Sequence, residues 1–129
     1  MITIPKKVEY SIVFISHLAK NPDKTVSLKE VSEKLFLPYS FLSKLATSLT
    51  NGGLIISQEG KSGGYKLAPN WQYQSFYDLL VILGENKALV NCLGSKSCSR
   101  SGKCSIQNIW SQIENSWQQQ LKTIKLSQI

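Results

Sequence analysis

Two short amphipathic segments separated by only three residues, Phe36-Leu37-Pro38, set the tightest limit on how this chain can fold. Ser27-Leu28-Lys29-Glu30 predicts the start of the first segment as a helix. The Ser27 hydroxyl accepts from the third helical amide, and Glu30 reaches back to complete a capping box. Val31 and Leu35 give that helix its apolar side. Pro38, with φ already fixed and no amide hydrogen to lose, suits the first turn of the next helix. This second helix is expected over 39–51, with Phe41, Leu42, Leu45 and Leu49 towards one face. Asn51-Gly52-Gly53 ends it, because glycine takes the left-handed conformation without a Cβ clash.

The flanking segments complete an order of elements. Residues 6–20 carry Val8, Ile12, Ile15 and Leu18 at helical spacing and are followed by an Asn21-Pro22-Asp23 loop. Leu54-Ile55-Ile56-Ser57 and Tyr65-Lys66-Leu67 are β-prone runs, and Gln58 to Gly64 between them is a glycine-rich hairpin tip. Helix, helix, turn, helix and hairpin is the order of a winged helix-turn-helix. A fourth helix is expected over 75–84 from Phe76, Leu79, Leu80, Ile82 and Leu83. From about Ser105, the residues Ile106, Trp110, Ile113, Trp117, Leu121 and Ile124 recur at steps of three and four, the pattern of a helix with an apolar stripe. The expected architecture is mainly α with a small β-hairpin: a winged helix-turn-helix over residues 1–70, then a helix, a cysteine loop and a long C-terminal dimerisation helix over 71–129, in a single compact domain.

Charge points to the partner. Fifteen Lys and Arg against eight Asp and Glu leave a formal charge of +7 in 129 residues, a balance that suits a polyanion such as double-stranded DNA. No stretch is long and apolar enough for a membrane span, and the N-terminus lacks the apolar core of a signal peptide, so a cytoplasmic protein is expected. One isolated histidine, His17, and no paired acid and base argue against an enzyme. In a helix-turn-helix the second helix enters the major groove with its N-terminal residues nearest the base edges. Here those are Tyr39, Ser40, Ser43 and Lys44. Lys29, at the positive end of the preceding helix, is placed for a phosphate. Lys61 at the hairpin tip can touch the duplex backbone, with Gly60, Gly63 and Gly64 allowing close approach.

Cys92, Cys98 and Cys104 stand on one loop, each pair separated by five residues. Thiolates attract zinc or iron–sulfur clusters, whereas structural zinc more often uses closer cysteine pairs and a fourth Cys or His. A metal or cluster site, redox-sensing thiols without metal, a zinc-stapled interaction module and ordinary cysteines all remain open on spacing alone.

Val8-Glu9-Tyr10, Val26-Ser27-Leu28-Lys29-Glu30-Val31, Tyr39-Ser40-Phe41-Leu42-Ser43-Lys44-Leu45, Gly63-Gly64-Tyr65-Lys66-Leu67 and the cysteine triad together resemble the Rrf2 family of bacterial regulators. The similarity is greatest to its iron–sulfur members, the IscR, NsrR and RirA types. It implies a homodimer joined through the C-terminal helix, an iron–sulfur cluster (2Fe–2S or 4Fe–4S) on Cys92, Cys98 and Cys104, and DNA binding that follows cluster state. Three departures stand out. Gln107 occupies the position where IscR-type proteins have a histidine, three residues after the last cysteine. Glu9 falls where NsrR-like relatives supply an acidic ligand from the partner's first helix. In the wing, Glu59 and Ser62 replace an arginine and a glycine, and Glu59 repels phosphate.

Overall fold

The computed structural model describes residues 3–94 and 98–129. Pro5 precedes α1 (Lys6–Ala19), whose buried side is Val8, Ser11, Phe14, Ile15 and Leu18. Phe14 joins the expected apolar set, while Ile12 packs on the core from its edge. The buried Ser11 hydroxyl is satisfied by donating to the Lys7 carbonyl at 2.7 Å.

In α2 (Leu28–Leu35) half of the expected capping box forms. Ser27 Oγ accepts from the Glu30 amide at 3.2 Å, but the Glu30 carboxylate turns to Lys34 Nζ at 2.6 Å, one helical turn on. An ammonium four residues away is a stronger partner for a carboxylate than a neutral amide. The helix then ends on Phe36 at φ 54° and ψ 40°. The Phe36 and Leu37 amides both donate to the Ser32 carbonyl, and Ser32 Oγ donates to the Leu37 carbonyl at 2.6 Å. Leu37 is buried beneath this turn, whereas the Phe36 ring is 92 % exposed. Glycine is the usual residue at such a left-handed position, and a larger side chain costs on the order of 1 kcal/mol.

Pro38 immediately precedes α3 (Tyr39–Asn51), which buries Leu42, Leu45, Ala46 and Leu49. Phe41 meets Tyr10 of α1 edge-on, with ring centroids 5.4 Å apart. β1 (Ile55–Gln58) and β2 (Gly64–Leu67) pair antiparallel, Ile55 opposite Leu67 and Gln58 opposite Gly64. The hairpin has a further partner that hydropathy does not announce. Val26, just before α2, exchanges two 2.8 Å backbone bonds with Tyr65.

α4 (Phe76–Ile82) carries a complete capping box between Ser75 and Asp78. The last long helix is α5 (Gln107–Thr123). Beyond it the chain doubles back: the Phe76 amide donates to Ile124 O at 2.8 Å and the Leu126 amide to Gln74 O at 2.9 Å. This return seats Leu126 in the core with Leu79, Leu80, Leu83 and Leu121, continuous with the buried side chains of α1, α2, α3 and the hairpin. The expected α5 stripe therefore divides. Leu121 faces the core, Ile106 and Ile124 lie just outside the helix ends, and Ile109, Trp110, Ile113 and Trp117 are open to solvent.

His17, in the last turn of α1, has its pKa lowered from about 6.5 by loss of solvation first and then by Lys34 and Lys20. The folded state therefore binds this proton less readily than the unfolded chain. As pH falls below about 6.5 the unfolded state takes up the proton first, and stability declines until the folded imidazole also protonates. Glu30 and Glu85 are held low by hydrogen bonds from Lys34 and Lys7, so they withdraw stability only in a separate, more acid window below 4.5. His17→Gln is expected to flatten the decline in urea midpoint between about pH 7 and about pH 5; an unchanged slope would refute the assignment.

Candidate nucleic-acid interface and cysteine loop

The burial of Leu42, Leu45, Ala46 and Leu49 fixes which side of α3 is left outward. Tyr39, Ser40, Ser43 and Lys44 are all exposed. Ser40, Ser43 and Thr47 follow one another at steps of three and four, so their hydroxyls share one side of the helix. Thr47 was absent from the sequence expectation; its position one turn beyond Ser43 was the available signal. Its own hydroxyl donates to the Ser43 carbonyl at 3.1 Å. Lys44 lies towards α1, bordering a cleft of about 220 Å³ with Lys7, Phe41, Ser48 and Leu83.

Lys29 is exposed in the first turn of α2, and Lys61 is exposed at the hairpin tip beside the exposed Glu59. Lys29, Lys44 and Lys61 enter no ion pair among the described residues, which leaves their ammonium groups available to an anion. The tip is held from within the chain. Gly63 N–H donates to the Gly60 carbonyl at 2.9 Å, and Thr25 Oγ1 donates to the Ser62 carbonyl at 2.8 Å. Gly63 and Gly64 are needed inside the molecule: a Cβ on Gly63 would lie 2.5 Å from Gln58 O, and one on Gly64 2.4 Å from Val26 O.

Cys92 sits in a 3-10 turn over Asn91–Leu93. Cys98 opens a turn closed by the Ser101 amide, which donates to the Cys98 carbonyl at 3.0 Å, and Cys104 stands three residues before α5 begins. All three thiols are free and half-buried. Among the described residues no three His, Cys, Asp or Glu side chains form a group able to hold a metal ion. Gln107 is half-buried in the first turn of α5. Glu9 is exposed and paired with Lys6 at 2.9 Å, an open surface contact that another partner of Glu9 can displace. Lys7 reaches Glu85 at 2.6 Å and so ties the start of α1 to the segment leading into the cysteine loop.

Comparison with known proteins agrees with this arrangement. Residues 4–129 match the Rrf2 family, described as an iron-dependent transcriptional regulator. A candidate HTH-type transcriptional regulator of Lactococcus lactis is 32 % identical, with 94 % of this chain and 82 % of that protein aligned. The HTH-type transcriptional regulator IscR of Vibrio vulnificus is 24 % identical over 98 % of this chain and 76 % of its own. Among solved structures, CymR, the global cysteine regulator of B. subtilis, superposes with a TM-score of 0.77 at 23 % identity, covering 98 % of this chain and 94 % of that one. IscR of T. potens gives 0.74 at 24 % identity, covering 98 % and 84 %. Among the described residues no helix is long and apolar enough to cross a membrane. The family match over nearly the whole length, on a winged-helix frame, places this chain in the Rrf2 family as a DNA-binding transcriptional regulator rather than an enzyme.

Proposed function

We propose that this regulator is a cytoplasmic homodimer whose grip on double-stranded DNA is conditional on an iron–sulfur cluster bound through Cys92, Cys98 and Cys104. The observation that carries this reading is three free, half-buried thiols on the single stretch that leads into α5, a helix with its apolar side open. Residues 1–70 read the duplex through Tyr39, Ser40, Ser43, Lys44, Lys29 and Lys61, and residues 71–129 sense and dimerise. The donor set suits iron in kind, being three soft thiolates with a carboxylate, Glu9 of the partner subunit, as a candidate fourth. Such a cluster, 2Fe–2S or 4Fe–4S, supplies a centre sensitive to iron, nitric oxide or redox state. Cys104 stands three residues before α5, so a cluster held there is coupled to that helix, and it shifts the DNA-reading elements to the extent that it favours one arrangement over another.

Purification without oxygen, with iron, sulfide and visible-absorbance assays, tests the reading. Cys98→Ser is expected to lose the absorbance and the iron, and to change affinity for a DNA probe by about tenfold or more, within the range of common coupling energies. A colourless, iron-free parent whose DNA binding ignores the substitution would sink it. Three free thiols also suit a second reading, a metal-free thiol switch, and the similar solved structures include an oxidized form of Staphylococcus aureus CymR at 25 % identity. Reversible disulfide or sulfenic acid at these cysteines, with no iron in protein made without oxygen, is the outcome that selects it.

A further inference from the structure

We propose that Phe36 is a DNA-reading residue whose ring meets thymine methyl groups in the major groove beside the N-terminus of α3. The inference rests on the reading of α3 as the groove-entering helix.

Three observations converge on Phe36. Its backbone is left-handed, at φ 54°, and it is the one non-glycine residue with positive φ among those described. Glycine or asparagine meets that requirement without strain, so an aromatic side chain is not there to serve the turn. The ring also gains nothing from its own fold. At 92 % exposure it is the most open of the large apolar side chains described, ahead of Tyr73 at 71 %. A position that combines backbone strain with a fully solvated ring is unfavourable on both counts, and such outliers collect where a partner supplies what the fold does not.

Location identifies the partner. The turn runs directly into Tyr39 and Ser40, the exposed first residues of the helix that a helix-turn-helix inserts into the groove. Phe36 is also held there firmly. Its amide and that of Leu37 share the Ser32 carbonyl, Ser32 Oγ holds the Leu37 carbonyl, and Leu37 is buried below. A ring carried on a turn held this firmly, beside the residues read as entering the groove, is suited to apolar contact, and the thymine 5-methyl is the apolar group that the major groove presents. Such a contact adds A·T preference next to the hydroxyl and ammonium donors of α3, which bond bases or phosphates.

The test uses duplexes that the parent protein itself enriches from a random-sequence library. Affinities of the parent and of Phe36→Gly are measured on an enriched duplex and on a copy with uracil in place of thymine, which deletes only the methyl groups. The parent is expected to weaken about tenfold on the uracil copy. Phe36→Gly is expected to be weakened about tenfold already on the thymine duplex, to lose little more with uracil, and to melt no lower than the parent. Phe36→Asn, which also accepts the left-handed backbone, serves if the glycine variant folds poorly. A variant that binds the thymine duplex as tightly as the parent overturns the proposal and makes a protein surface the partner of the ring. A parent indifferent to uracil overturns it as well. A parent that enriches no duplex at all refutes the underlying reading of α3, and the proposal falls with it.

Discussion

Gly64→Ala is expected to cost this protein about 3–5 kcal/mol and to lower its melting temperature by roughly 10–20 °C. The expectation follows from what surrounds the missing side chain. An added Cβ would lie 2.4 Å from the Val26 carbonyl oxygen, 2.6 Å from its carbon and 2.9 Å from Ser27 N. All three are backbone atoms, so no rotamer change relieves the collision, and φ at +152° already disfavours any L side chain. Relief requires β2 to move away from residue 26, which breaks both 2.8 Å bonds between Val26 and Tyr65 and releases the segment carrying the Ser27 cap. Domains of this kind commonly hold only about 5–15 kcal/mol of net stability, so the loss reaches the whole molecule. Gly60→Ala is the control. It keeps the positive φ, +108°, but its Cβ meets nothing within 4 Å, so only local strain of about 1 kcal/mol is expected. Urea unfolding of the two variants decides the matter; equal costs would show that conformation, rather than contact with Val26, sets the glycine requirement.

Gly64 also shows where sequence reading reached its limit. A glycine-rich hairpin tip was legible. What the tip approaches within the molecule was not legible, because Val26 is a single-residue bridge with no period of its own. Signals local to one or two turns fared better: Ser27 capping α2, Gly52-Gly53 after α3, and the apolar side of α3 all follow from neighbours in sequence. The Ser75–Asp78 box obeys the same rule and could have been read the same way. Phe36 could not, since nothing in its chemistry announces a left-handed backbone; only the turn around Ser32 and Leu37 imposes it. Leu126 is a core residue because the chain doubles back to Gln74 and Phe76, a tertiary event invisible to periodicity. The cysteine triad lies at the far end of this scale. Its donor chemistry could be read from three letters, its geometry from none.

Ile113→Glu is expected to turn a dimer into a monomer and to weaken DNA binding by about a hundredfold or more, the loss of an effective concentration that links two half-sites. Ile109, Trp110, Ile113 and Trp117 occupy the open side of α5 at exposures of 54, 36, 43 and 36 %. Ile113 and Trp117, with Leu89, line a shallow groove of about 490 Å³. Two tryptophans and two isoleucines left to water in one stretch form an apolar surface of the kind that marks an interface, and in the proposed homodimer a second copy of the helix presents the same surface in return. The substitution separates assembly from folding, because Ile113 contributes little to its own chain's core and a glutamate there costs the monomer little. Leu121→Ala provides the contrast. Leu121 is 7 % exposed and belongs to the core, so its truncation is expected to cost about 2–5 kcal/mol of chain stability while the open side of α5 stays intact. Light scattering on both variants reads assembly, and urea unfolding reads stability. Should Ile113→Glu remain a dimer, or the parent scatter as a monomer at micromolar concentration, α5 would not be the joint between subunits. The exposed tryptophans would then need a different partner, and a change at the cysteine loop would no longer have a route from one DNA-reading helix to the other.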